Sequence, residues 1–202
     1  MQLMRAELPL PRERGFTMLE VLVSLAILVF SLLGLIGLQA RAQIATFESY
    51  QRGQALILVQ DMADRIAVNR GAAGCYAITT DTASGTPYLG TGYSGTPVCT
   101  ASVGTAISRA VADADLQAWN SALQGAAETA GADQVGGILG ARGCVSFDPL
   151  TNSYRVAIAW QGTAETVAPT AGNPAATCAS NLYGPDTQRR EVGVIVRIAT
   201  LS

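Results

Sequence analysis

The stretch RGFTMLEVLVSLAILVFSLLGLIGLQ, Arg14 to Gln39, decides how the rest of the chain is read. Residues 16–38 hold one ionisable group, Glu20, and no proline. As a helix rising about 1.5 Å per residue they extend roughly 34 Å, enough to cross a hydrocarbon core of about 30 Å. A soluble helix has no use for so long an unbroken apolar surface, and a plain membrane anchor avoids the carboxylate. An acid near the end of a membrane helix costs a few kcal/mol on insertion scales, less if it reaches the interface. That cost is tolerable if the acid later meets an opposite charge. Cleavage after Gly15 would supply one, the new α-amino group of Phe16 on a neighbouring helix of the same kind. The ion pair would then set axial register while apolar faces pack into a filament.

Arg5, Arg12 and Arg14 precede the run, and Glu7 and Glu13 offset them only in part. Orientation follows positive charge, so the N-terminus is expected in the cytoplasm and the remainder exported. A secretory signal peptide would have a shorter apolar core followed by a small-residue cleavage site. Here the core is long and the small residue, Gly15, stands before it.

These residues resemble the class III signal of type IV pilins and type II secretion pseudopilins. That pattern is a short basic leader ending in Gly, an apolar or aromatic first mature residue, and Glu at the fifth. The resemblance implies cleavage by prepilin peptidase at Gly15, N-methylation of Phe16 and an assembly role for Glu20. Losing residues 1–15 would leave ten arginines against thirteen acidic residues.

The 202 residues, 49% hydrophobic and 14% charged, suit one anchor and one modest domain. With no histidine, the commonest general base and metal ligand is missing. No P-loop, nucleophile elbow or paired-carboxylate pattern is present, so no enzyme, cofactor or metal is expected. All thirteen basic residues are arginines scattered in a chain of net charge −2, a poor basis for nucleic-acid binding. Arg142, Arg189 and Arg190 are too few to define a basic stripe for DNA uptake.

Beyond the apolar run, residues 39–70 read as an amphipathic continuation of the helix. Ile44, Phe47, Ala55, Leu58, Met62 and Ile66 form its stripe, with Leu56, Ile57 and Val59 as extra apolar residues. NRGAAG, from Asn69, is a stop signal. Gly34, Gly37 and Gly53 are weak points, either for local bending in a filament or for close helix packing. Residues 71–110, dense in turn formers, read as a surface loop bracketed by Cys75 and Cys99. In it, Tyr88 and Tyr93 are either contacts for a partner or a sugar, or, as the ordinary reading, aromatics packing the loop down. DADLQAWNSALQG, from Asp113, reads as a short helix capped by Asp113 or Asp115, with Leu116, Trp119 and Leu123 on one face. The two aspartates lack the spacing of a calcium loop.

Three period-two segments follow: residues 144–148, 154–161 and 190–201. Tyr154, Val156, Ile158 and Trp160 face one way, as do Val192, Val194, Val196 and Ile198. DPLTNS between the first two is a hairpin turn. One large-residue face per strand implies an antiparallel sheet covered on one side by the amphipathic half of the long helix. The fold class is α+β, a long N-terminal helix on a small antiparallel sheet. None of the four cysteines forms a C-x-x-C pair, and an exported domain favours disulfides. Of the three possible connectivities, sequential pairing, Cys75–Cys99 and Cys144–Cys178, closes the local loops.

The segments DLQAWNSALQG, GCVSFDPLTNSYRVAIAWQG and CASNLYGPDTQRREVGVIVRIATL, in that order, resemble the minor pilins called type IV pilus modification protein PilV. A departure is AAETAGADQVGG, where that family often carries a Leu-Pro-Gly-Gly-like link. The resemblance implies a leader over 1–15, a transmembrane assembly helix over 16–38, the amphipathic half over 39–70 and an exported head over 71–202. It implies a minor pilin held single-pass in the inner membrane, head periplasmic, before entering the surface pilus. Partners would be the major pilin, other minor pilins, prepilin peptidase and the inner-membrane assembly platform. An adhesive binding module and a type II secretion pseudopilin are the alternatives.

Overall fold

The computed structural model describes residues 15–126, 129–130, 133–134, 136–170 and 177–199. The leader, apart from Gly15, lies outside the described residues, as do parts of the AAETAGADQVGG link and of loop 162–186, and the last residues of the 190–201 segment. The chain divides into two units, residues 1–45 and 46–202.

Helix α1, Met18–Val68, begins in the first unit and continues into the second. Thr17 starts it: the Glu20 N–H donates to Thr17 Oγ1 at 3.2 Å, satisfying one of the helix's free amides. The helix passes Gly34, Gly37 and Gly53 without interruption, and no atom lies within 4 Å of where a Cβ would stand on any of them.

In the second unit α1 buries Gln51, Ala55, Val59, Met62, Ala63 and Ile66. Steps of three and four residues put these on one face. The buried stripe differs from the expected one. Ile44 and Phe47 are half exposed and Leu56 and Ile57 face outward, while Val59 lies at the centre. Burial begins only at Gln51, and from there the 3.6-residue period selects Val59, not its apolar neighbours.

After a 3₁₀ turn, Arg70–Tyr76, and strand β1, Leu89–Gly90, comes helix α2, Ala106–Leu123. Its cap is Thr105, not an aspartate. Thr105 Oγ1 accepts from the Ser108 N–H at 3.1 Å, and the Thr105 N–H donates to Ser108 Oγ at 2.8 Å. This reciprocal box starts the helix early and places Asp113 and Asp115 inside it. Leu116, Trp119 and Leu123 are buried on one face, as their spacing predicts.

A short antiparallel pair follows, β2 (Thr129–Ala130) and β3 (Asp133–Gln134). The main strands are β4 (Arg142–Asp148), β5 (Ser153–Gln161) and β6 (Arg189–Arg197). With β1 they form an antiparallel sheet of order β1-β4-β5-β6. In the β4–β5 turn the Leu150 N–H donates to Asp148 Oδ1 at 3.0 Å, and Asn152 takes a positive φ of 47°. The expected surface loop 71–110 is therefore only partly loop. Leu89 and Gly90 pair with Gly143 and Arg142, and Leu89 is buried.

Tyr154, Val156, Ile158, Trp160 and Val192 enter one core with Ala55, Val59, Met62 and Ile66 of α1 and Leu116, Trp119 and Leu123 of α2. The Trp119 Nε1–H donates to the Leu58 carbonyl at 2.9 Å. Gly143 makes this packing possible: a Cβ there would stand 2.4 Å from Trp119 Cη2 and 2.7 Å from Leu123 Cδ1. The expectation of one covered face is corrected. Cys144, Ala157 and Ala159, on the opposite face, are buried in a second cluster with Cys178, Ala179 and Tyr183. Small residues on that face let the segment around Cys178 lie flat on the sheet.

Candidate functional site

In the first unit, Phe16 is 83% exposed, and the apolar residues from Met18 through Leu38 are exposed with it. An 18-residue apolar window of α1, within a helix long enough to cross a membrane, contains no buried residue. A core helix of a soluble protein would be largely covered. This surface is favourable only against lipid or other protein, since burying apolar area is worth about 25 cal/mol per Å². Glu20 sits one turn into the helix, and its carboxylate has no partner among the described residues. Gly15 and Phe16 precede the first helical turn, in non-helical backbone.

In the second unit, charged side chains are used mainly within the head. Glu48 Oε1 accepts from the Thr163 N–H at 3.0 Å, the Thr163 hydroxyl at 2.7 Å and Arg190 Nη2 at 3.3 Å. The Thr163 hydroxyl is the main reason its carboxyl is held below the usual range, with Arg190 adding to it. Arg189 is buried, bonding Asp186 through Nε at 2.7 Å and through Nη2 at 2.8 Å, and Glu191 through Nη1. Burial pushes the Glu191 carboxyl well above the ordinary carboxylate range, against the pull of the Cys178 N–H and of Arg189. Asp186, hydrogen-bonded by Arg189, is held low.

Arg65 Nη1 donates to Asp115 Oδ1 at 2.6 Å and its Nε to Asp61 Oδ2 at 2.9 Å. The Tyr76 hydroxyl donates to Asp115 Oδ2 at 2.5 Å, and its pKa is raised chiefly by burial. Asp113 accepts from the Cys99 N–H. Both Asp113 and Asp115 are committed to the fold, and among the described residues no cluster of three acid, Cys or His side chains could hold a metal. The three arginines weighed as a basic stripe are engaged too: Arg189 and Arg190 in ion pairs, Arg142 between the rings of Tyr88 and Tyr183.

Cys75 is bonded to Cys99 and Cys144 to Cys178, with Cα–Cα distances of 4.6 and 5.8 Å. Each bridge ties a loop to the core, the first to the 3₁₀ turn after α1 and the second to β4. Reading the sequence missed the Glu48 clamp, because its partners lie more than a hundred residues away. It also missed the Arg189–Glu191 pair. A signal for that pair was available: in a strand, residues two apart share a face, and Arg and Glu at that spacing amid valines invite a buried ion pair.

Two family models match the chain. Residues 10–36 match the prokaryotic N-terminal methylation motif, and residues 37–115 match the family described as type IV pilin Tt1218. No curated protein matches the chain. No solved structure matches it either.

Proposed function

We propose, from the premise that this chain is type IV pilin-like and carries a prepilin methylation motif, that it is a minor pilin. In this reading prepilin peptidase cleaves after Gly15, Phe16 is N-methylated, and the protein enters a type IV pilus to prime or assist its assembly. The observation that carries the reading is the exposed apolar start of α1 with one unpartnered carboxylate, Glu20, four residues beyond Phe16. In a filament Glu20 pairs with the free amine of Phe16, on its own or a neighbouring subunit, while apolar helix faces bury one another. The ion pair is shielded from water, so it fixes register strongly. Before assembly the same helix fits anchoring in the inner membrane, and the arginines of residues 1–14 favour a cytoplasmic N-terminus. The order of the Trp119 helix, the β4–β5 hairpin and the Arg189–Arg190 strand supports placement with PilV-type minor pilins. Other pilins and the inner-membrane assembly platform are then its partners, and the family is structural, not enzymatic.

Mass spectrometry of the protein recovered from sheared surface filaments tests this directly. The expected N-terminal peptide begins at Phe16 and carries one additional methyl group. A filament-free protein that begins at Met1 at the cell surface would overturn it.

A further inference from the structure

Between the end of the 3₁₀ turn and Thr100 the head carries a groove of about 260 Å³ that none of the preceding interactions uses. Its walls include Pro87, Tyr88, Tyr93 and Pro97, and the hydroxyl residues Thr80 and Thr100 line it as well. No charged side chain lines it. The hydroxyls of Thr80, Thr100 and Tyr93 have no hydrogen-bond partner among the described residues. Tyr88 is held from outside the groove. The Arg142 guanidinium lies 5.3 Å from its ring centroid and 4.6 Å from that of Tyr183, and the Tyr183 hydroxyl donates to main-chain oxygen, with Gly140 O at 2.8 Å and Ala159 O at 2.9 Å. The Cys75–Cys99 disulfide fixes the far end of the loop beside Val98 and Thr100.

We propose that this groove is a binding site for a neutral saccharide, one or two sugar rings in length. The ligand must be uncharged, because the lining has no ion to pair with one. It must present an apolar face, because the tyrosine rings offer a negative π face that attracts C–H edges and the prolines offer an apolar wall. It must also carry several hydroxyls, because the groove offers separate, unengaged ones. A pyranose ring meets all three conditions. The volume lies just below the range of about 300–1,000 Å³ usual for small-molecule sites, which limits the ligand to that size. Bracing by Arg142 lowers the ordering cost of Tyr88 on binding. The site does not depend on the pilin reading, and either can fail alone.

The test is saturation-transfer NMR on the full mature-length chain in lauryldimethylamine-oxide micelles, a detergent without sugar headgroups. The probes are the methyl glycosides of glucose, galactose and N-acetylglucosamine. At least one is expected to receive saturation on its ring C–H protons. The signal is expected to fall fivefold or more in Tyr93→Ala and in Val98→Trp, and to persist in Tyr93→Trp. Val98 is 54% exposed, so its substitution fills the groove without disturbing the core. No transfer to any glycoside from a helical, fully disulfide-bonded wild type would overturn the proposal. So would transfer unchanged in Val98→Trp, or binding of a proline-rich peptide to the same residues with none of the glycosides.

Discussion

Glu48 on α1 and Arg190 on β6 are separated by 142 residues and meet at 3.3 Å. The same carboxylate oxygen takes both the amide and the hydroxyl of Thr163, the residue two beyond the end of β5. One side chain thus fastens the last strand and the start of the loop after β5 to α1. In a head whose other ties to α1 are mostly apolar, this polar clamp sets where the sheet's end sits along the helix.

Glu48→Gln is expected to cost about 1 kcal/mol, the scale of a charge-assisted hydrogen bond at a partly exposed site. The Glu48 carboxyl is held below its ordinary value of 4.5, first by the Thr163 hydroxyl. Its contribution is therefore fully present above that value and is lost as pH falls through the lower folded one. Urea unfolding of wild type and variant should differ by a constant amount at pH 6–7, and the difference should vanish at more acid pH. A difference that grows on acidification would contradict the assignment.

Gly143→Ala is expected to destabilise the head by about 2 kcal/mol, the range for overpacking a tight core. A Cβ would meet Trp119 at 2.4 Å and Leu123 at 2.7 Å, so α2 must shift. The near-ultraviolet circular dichroism of the tryptophans should weaken at the same time as the urea midpoint drops. Trp119→Leu in the same background should recover part of the loss.

Arg189→Leu leaves Glu191 and Asp186 without their cation, and breaking a buried pair in this way costs about 3–5 kcal/mol. The folded Glu191 carboxyl is raised above its ordinary 4.5 by burial. The folded state then holds the proton longer than the unfolded one, so stability falls as pH climbs from that value toward the folded one. Without Arg189 the rise should be larger and the fall steeper. Urea midpoints from pH 4.5 to 8 should decline more sharply in the variant than in wild type, and Arg189→Leu with Glu191→Gln should abolish the part of the decline that comes from Glu191.

Glu20→Ala should leave membrane insertion intact, because it removes a charge from the apolar run and lowers the cost of insertion. Incorporation should fail, since the proposed ion pair with the Phe16 amine can no longer form. Immunoblots of the membrane fraction and of sheared filaments measure the two separately. Wild-type amounts in filaments would count against the role given to Glu20.

Local chemistry made much of this protein readable without coordinates. Apolar period and length marked α1, the Leu116–Trp119–Leu123 spacing marked α2, and alternation marked β4 to β6, because each signal lies within a few residues of its cause. Boundaries were less legible. The start of α2 moved forward to Thr105 because a serine hydroxyl can complete a capping box usually read from Glu or Gln. The two-residue strand β1 carries too little alternation to stand out within a Gly- and Thr-rich loop.

The amino-acid order by itself determined the greasy helix with its lone acid and the α+β architecture, since these follow from short-range spacing and from the solvent each surface tolerates. Only the tertiary structure decided that both faces of the sheet are covered, that Val59 and not Ile57 reaches the core, and that Glu48 and Asp115 are spent on the fold. Those outcomes depend on which distant groups arrive within about 3 Å of one another, and hydrogen bonds and ion pairs weaken steeply beyond that range. Nothing in the local pattern records such meetings.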